Sequence, residues 1–200
     1  MFKASFWHYK GVLMMTKNEI RYDLKEKRRS ISETEAFSKS LLAQRVFLGS
    51  EIYNDAKNLM VYMPLGNETG TFDIIKDATS KGKTVLVPVT DRNSFELTAH
   101  RITRDTEFEK GVFNLTEPKT KDAFNKSEID VVLVPGVAFS KKGARIGFGK
   151  GCYDKFLDGI CATKVGFCYD FQLSDEIEPE PYDIMMEFIV TEKELINCIG

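Results

Sequence analysis

Residues 130–157 read DVVLVPGVAFSKKGARIGFGKGCYDKFL, and the architecture of the whole chain follows from them. Val131–Val134 is an unbroken aliphatic run, the pattern of a strand buried on both faces of a parallel sheet. Pro135 and Gly136 end that strand. The loop that follows holds Gly143, Gly147, Gly149 and Gly151, interleaved with Lys141, Lys142, Arg145 and Lys150. Tyr153, Phe156 and Leu157 then take up helical spacing. A strand, a glycine-rich basic loop and a helix start, in that order, build a phosphate cradle. Glycines let backbone N–H groups crowd round an anion, the helix N-terminus adds partial positive charge, and Lys and Arg supply full charges. Asp154 is the one acid at the mouth, and an acid beside bound phosphates points to Mg²⁺. Two familiar patterns do not fit. A P-loop needs glycine five residues before Gly149, where Ala144 stands, and Ser or Thr after Lys150, where Gly151 stands. The dinucleotide fingerprint fails because the glycines fall at every second residue. On composition alone, a surface loop with solvated lysines stands level with the cradle.

Beyond this stretch, 200 residues with 42% hydrophobic and 29% charged side chains suffice for one domain with a sizeable core. A net charge of −2 argues against a nucleic-acid binder, which needs an excess of cations along the duplex. The basic loop therefore suits a small polyanion. The four cysteines, Cys152, Cys161, Cys168 and Cys198, form no CxxC pair. They read as reduced thiols of a cytoplasmic protein, and with only His8 and His100 in support they make no metal site. The first fourteen residues are too short and too broken by polar groups for a signal peptide or a membrane helix. Met14 and Met15 stand just before the first helix signal. Residues 1–14 are therefore expected to be a poorly ordered extension, and 15–200 a single domain.

Thr16-Lys17-Asn18-Glu19 has the form of a capping box and predicts a helix to about Arg29. Lys17 and Arg21 share one face near its start, where cations oppose the helix dipole. They are either merely solvated or waiting for an anion. Ser32-Glu33-Thr34-Glu35 starts a second helix, whose Ala36, Phe37, Leu41, Leu42, Val46 and Phe47 pack as scaffold. Asn58–Met63, a helix over Phe72–Thr79 and Lys83–Val87 make a strand–helix–strand unit, hence a parallel pair. Glu68 falls in the loop beyond the first of these strands, where parallel sheets bind ligands. Glu96–Ile102 predicts a further strand, and residues 107–126 read as a surface excursion. Lys164–Phe167 is a strand, Phe171–Pro181 an acidic loop, and Glu187–Val190 the last strand. Asp183 precedes it in a turn. No internal repeat or linker is present.

The stretch PGVAFSKKGARIGFGKGCYDKFL resembles the signature of the 5-formyltetrahydrofolate cyclo-ligase (5,10-methenyltetrahydrofolate synthetase) family, close to P-G-x-A-F-D-x-x-G-x-R-L-G-Y-G-x-G-Y-Y-D-x-x-L. It departs at Ser140 for Asp, Ile146 for Leu, Phe148 for a frequent Tyr or Arg, and Cys152 for the first Tyr. Every glycine, Arg145, Tyr153 and Asp154 are kept. The resemblance implies a three-layer α/β/α fold with an open, mostly parallel twisted sheet, Rossmann-like and of the cyclo-ligase or sugar-phosphate-isomerase type. It implies ATP- and Mg²⁺-dependent conversion of 5-formyltetrahydrofolate, polyglutamylated or not, to 5,10-methenyltetrahydrofolate, ADP and phosphate. A monomer acting on small molecules, without nucleic acid or membrane, is expected.

The family's K-x-x-x-R near the first helix start carries ATP binding onto Lys17 and Arg21. The loop carries it onto Gly143, Ala144, Arg145, Ile146, Gly147, Phe148, Gly149, Lys150 and Gly151. Asn67-Glu68-Thr69-Gly70-Thr71 resembles the family's D-E-x-x-T segment, which makes Glu68 a folate contact, and Met63, Phe148 and Tyr153 would line the same pocket. Arg145, Lys150 and Tyr153 would act in catalysis, Asp154 and Asp183 on the metal. Two alternatives remain at this point: a sugar-phosphate isomerase-like enzyme, and a domain that senses a phosphorylated metabolite. Removing residues 1–13 is expected to leave the activity intact, and its loss in the truncated protein would contradict that boundary.

Overall fold

The structure is a computed structural model that describes residues 15–199 and the backbone of two short strands before them. Those strands, β1 (His8–Tyr9) and β2 (Val12–Leu13), pair antiparallel. The rest of the expected extension, residues 1–14, lies outside the described residues.

Helix α1 (Lys17–Ser30) starts where the capping box places it. The Thr16 hydroxyl accepts from Glu19 N, and the Glu19 carboxylate accepts from Thr16 N at 2.8 Å. Ser32 caps α2 (Glu33–Leu48) with one half of such a box: its hydroxyl accepts from Glu35 N at 3.1 Å. A short α3 (Glu51–Asp55), capped by Ser50, has no counterpart in the sequence reading. Strand β3 (Asn58–Met60) stops three residues before the expected Met63. The chain leaves the sheet there because Tyr62 is fixed to the next loop: its hydroxyl donates to Thr69 O (2.6 Å) and its carbonyl accepts from Thr71 Oγ1 (2.8 Å). Helix α4 (Phe72–Ser80) and β4 (Thr84–Thr90) complete the unit, and β3 pairs parallel with β4.

β5 (Leu97–Ile102) turns back antiparallel on β4. The excursion expected over 107–126 is more ordered than composition suggests. β6 (Phe108–Lys110) and β7 (Thr116–Pro118) form a hairpin, and β8 (Ala123–Phe124) adds an edge to β5. β9 (Val131–Val134) follows, then a small hairpin of β10 (Ala138–Phe139) and β11 (Arg145–Ile146), α5 (Cys152–Leu157) and β12 (Thr163–Phe167). β13 (Phe188–Val190) is not the last strand: β14 (Leu195–Asn197) pairs antiparallel with it at the sheet edge. The main sheet has the order β14-β13-β12-β9-β3-β4-β5-β8, with five central strands parallel.

β9 is buried throughout, as its sequence demands, and its side chains alternate between two cores. Val131 and Leu133 join Phe47, Tyr53, Ile74 and Ala78 from α2, α3 and α4 on one face. Val132 and Val134 join Phe139, Phe156 and Leu157 on the other. Helices thus cover both faces, and the three-layer, mostly parallel architecture is present. Removing such aliphatic side chains from water supplies about 1.5–3 kcal/mol each, which makes β9 the anchor of the layers.

The β10–β11 turn is held by contacts that only glycine permits. Gly143 has φ +91°, and a Cβ there would lie 2.3 Å from the Met186 carbonyl oxygen. That oxygen belongs to backbone tied back by Met186 N donating to Gly143 O (2.8 Å). Gly143→Ala is expected to lower unfolding stability by about 1–3 kcal/mol, through strain at positive φ and the backbone clash. Urea unfolding with an unchanged midpoint would contradict this packing.

Candidate functional site

Open parallel sheets bind ligands where neighbouring strands lead off in opposite directions. Here that point lies between β3 and β9, since β3 leads to β4 on one side and β9 to β12 on the other. The segments after β3 and β9, the start of α1, the β6–β7 hairpin and the approach to β13 enclose a cavity of about 680 Å³. Its lining includes Lys17, Arg21, Met63, Glu68, Arg145, Ile146, Gly147, Phe148, Gly149, Lys150, Gly151, Tyr153, Asp154 and Asp183. Residues 166 positions apart are therefore brought to one hollow. Gly143 and Ala144 do not line it. Gly143 forms the hairpin turn, and Ala144 packs against Ile20, Ala138, Ile146 and Ile177.

Arg145 is the most constrained of these side chains, with only 4% of it exposed. Its Nη2 donates to Asp154 Oδ1 at 2.7 Å and its Nη1 to Pro135 O at 3.3 Å. Buried Nε has no partner among the described residues. Gly147 gives this guanidinium its room, since a Cβ there would meet Nη1 at 2.8 Å. At Gly136 a Cβ would meet the Phe139 ring at 2.5 Å, so that glycine makes room for the aromatic side chain first. Downstream, Gly151 caps α5 at φ +66°. Among the described residues, none of the backbone N–H groups from Gly147 to Gly151 has a hydrogen-bond partner. Five donors unpaired by the protein in one loop are the kind of group that an anion site uses.

At the other end of the hollow, Lys17 Nζ is 2.6 Å from Asp183 Oδ2 and 3.2 Å from Glu180 Oε1. Burial alone would push the Asp183 carboxyl up, but the Glu180 N–H and the Lys17 ammonium hold it below its ordinary value. Arg21 Nε donates to Gly147 O (3.0 Å), so α1 is tied directly to the glycine loop. The Lys150 ammonium lies over the Phe95 ring, 5.7 Å from its centroid. Of the acids at the hollow, Asp154 pairs with Arg145, and Asp183 shares Lys17 with Glu180. Among the described residues no group of three or more His, Cys, Asp or Glu forms a metal cage. Two separated carboxylates suit a hard cation that keeps water and phosphate oxygens as its other ligands.

The apolar end is built from Tyr62, Met63, Leu65, Glu68 and Tyr153. The Glu68 side chain is 9% exposed; its Oε2 accepts from Leu65 N at 3.0 Å. Burial pushes its carboxyl up, against the opposing pull of Arg28 and the Leu65 N–H. The Tyr153 hydroxyl is shut off from water with no partner among the described residues. Burial raises its ionisation well above that of a free phenol, and the Glu68 charge adds to this while Arg145 opposes it. Tyr153 lines the cavity, and its neutral hydroxyl is a donor that the protein leaves unpaired.

Sequence reasoning missed the wall supplied by the β6–β7 hairpin and its neighbours. Phe113, Leu115 and Thr116 line the cavity, with Pro88, Thr90 and Leu97 behind them. Phe113 stacks on Phe95 at 5.5 Å, and both have positive φ. The hairpin's two strands are three residues each, too short for any periodicity to show. The aromatic at 113 between Gly111 and Pro118 was the signal available.

The model of the 5-formyltetrahydrofolate cyclo-ligase family matches residues 13–192. A 5-formyltetrahydrofolate cyclo-ligase of Mycolicibacterium smegmatis is 30% identical over 190 residues, covering 89% of this chain and 94% of the relative. A mouse protein of the same name is 25% identical over 189 residues, covering 88% and 93%. The solved structure of Aquifex aeolicus 5,10-methenyltetrahydrofolate synthetase superposes with a TM-score of 0.83 at 29% identity, covering 93% of this chain and 94% of that one. The chain belongs to the 5-formyltetrahydrofolate cyclo-ligase family.

The orphaned Tyr153 hydroxyl has a stability consequence. Deleting a buried donor that has no partner removes a desolvation cost of about 1–3 kcal/mol. Tyr153→Phe is expected to melt at or above the wild-type temperature. A clear drop in melting temperature would show that this hydroxyl is bonded within the empty protein.

Proposed function

We propose that this member of the cyclo-ligase family closes 5-formyltetrahydrofolate to 5,10-methenyltetrahydrofolate at the expense of ATP, in the cavity between β3 and β9. The observation that carries the reading is the joining of two unlike ends in one hollow. A cationic end with five free amides suits a triphosphate; an apolar end with Glu68 and Tyr153 suits a pterin.

The reaction needs alignment and charge neutralisation more than a side-chain nucleophile. The formyl oxygen attacks the γ-phosphorus and ADP leaves. The former amide oxygen, now a phosphate ester, has become a good leaving group. The neighbouring folate nitrogen bonds to the formyl carbon, phosphate departs, and the methenyl bridge remains. Lys17, Arg21, Arg145 and Lys150 balance charge on the phosphates, and the amides from Gly147 to Gly151 orient them. Ile146 and Phe148 shape the loop. Glu68 receives N–H groups of the pterin, Met63 and Phe148 pack on the folate, and Tyr153 donates to the formyl oxygen. Asp154 and Asp183 would hold Mg²⁺, which supplies charge neutralisation between the phosphates when bound.

The ion pairs Lys17–Asp183 and Arg145–Asp154 fit this reading. Within the protein each of these cations is paired with an acid. Phosphate oxygens compete for the same cations, and a metal for the same acids, so an incoming Mg²⁺·ATP can exchange partners with no charge left bare. A monomer acting on small molecules is part of this proposal, and so is a cytoplasmic location, on its four free cysteines. No helix among the described residues is long and apolar enough to cross a membrane.

The decisive assay is methenyl absorbance on mixing protein, 5-formyltetrahydrofolate and Mg²⁺·ATP: it should appear, and should vanish with a chelator or without ATP. No absorbance under any of these conditions would overturn the function. For the site, Asp154→Ala is a poor probe because it bares a buried guanidinium, at about 3–5 kcal/mol. Asp154→Asn keeps an oxygen for Arg145. It should stay folded while losing most of the melting-temperature rise that Mg²⁺·ATP gives wild type. An undiminished rise would remove Asp154 from the metal.

A further inference from the structure

Arg28, in the last turn of α1, lies outside the cavity lining yet touches two of its walls. Its Nη1 is 3.6 Å from Glu68 Oε1, with the two side chains 15% and 9% exposed. Its guanidinium carbon is 5.4 Å from the centroid of the Phe148 ring, in the middle of the glycine loop. Its own carbonyl accepts from Asn67 Nδ2 at 3.3 Å, so the residue beside Glu68 is tied to the same turn. Lys25, one turn earlier, lies over the same Phe148 ring at 5.5 Å.

We propose that Arg28 is a positioning residue: packed against Phe148 and within ion-pair range of Glu68, it keeps the Glu68 carboxylate charged and aimed into the folate end of the cavity. The inference rests on the functional reading given above.

A carboxylate removed from water needs charge-compensating partners to stay ionised. Glu68 has the Leu65 N–H and one cation. Among the described residues Arg28 is the only cation in ion-pair range. The other titratable groups that face it are phenols. Tyr62 and Tyr153 are both buried and both feel its charge, and Tyr169 donates its hydroxyl to the Glu68 carbonyl at 3.3 Å. A neutral phenol cannot compensate a negative charge as a guanidinium does. The sign follows. Burial already lifts the Glu68 carboxyl, and Arg28 pulls it back. Without Arg28 that pull is lost, the carboxyl rises further, and the variant keeps its proton to a higher pH than wild type. A protonated carboxyl accepts fewer pterin N–H groups. Raising the pH restores the carboxylate, and with it the binding.

The test is KM for 5-formyltetrahydrofolate from about pH 6.5 to 9 in Arg28→Met and Arg28→Lys. Arg28→Met should raise KM several-fold at the acid end, with the gap closing as the pH rises. Arg28→Lys, which keeps the charge, should stay within about threefold throughout. KM for ATP should move little, because Lys25 still holds Phe148. Should Arg28→Met not fold, Glu68→Gln provides the second arm. Its raised KM should be flat with pH, and adding Arg28→Lys should change nothing more. A pH-independent rise in Arg28→Met, or no rise, overturns the inference while wild-type activity leaves the functional reading standing. Wild-type protein inactive on 5-formyltetrahydrofolate overturns both.

Discussion

The buried Arg145–Asp154 pair is the constraint on which the site depends. A guanidinium with 4% of its side chain exposed must have its charge met, and Asp154 meets it at 2.7 Å. Neither residue is free to be placed independently. Arg145 sits on β11 and Asp154 in the first turn of α5, so the pair fixes the loop between them. Gly147 is a glycine because the arginine occupies the space a side chain would need, and Gly136 because the Phe139 ring does. The loop's exposed part, from Phe148 to Gly151, has its amides unpaired by the protein. An electrostatic requirement in the interior thus places unpaired donors at the surface, the donors the proposed function gives to phosphate.

Much of the fold could be read from residue patterns. The aliphatic run of β9 has one physical solution, a central strand with a core on each face, and that is where it lies. Both capping boxes placed their helix starts within a residue, because hydrogen-bond geometry at an N-cap is local. What escaped reading was non-local. β3 ends at Met60 because Tyr62 bonds to Thr69 and Thr71, a tie that no periodicity of NLMVYM records. β14 and the β6–β7 hairpin are three-residue strands, stabilised by neighbours distant in sequence.

The site was legible to the same degree and for the same reason. Lys17, Arg21, Glu68, the loop from Arg145 to Gly151, Tyr153, Asp154 and Asp183 all border one cavity. Spacing alone could not assemble them; the resemblance of the glycine-rich stretch to a known family did. Gly143 and Ala144 share the stretch but serve the hairpin turn and a small apolar cluster, which a linear motif cannot separate from ligand contact. From sequence Arg28 reads, with Arg29, only as a cation that suits the C-terminal end of the helix dipole, and its contact with Glu68 and Phe148 shows only in the fold.

In this account the cations at one end exist so that an oxygen at the other end can be phosphorylated. Following that oxygen tests it most directly. With 5-formyltetrahydrofolate labelled with ¹⁸O in the formyl group, one turnover should deliver the label into inorganic phosphate. Unlabelled phosphate, with the label released as water, would contradict the account.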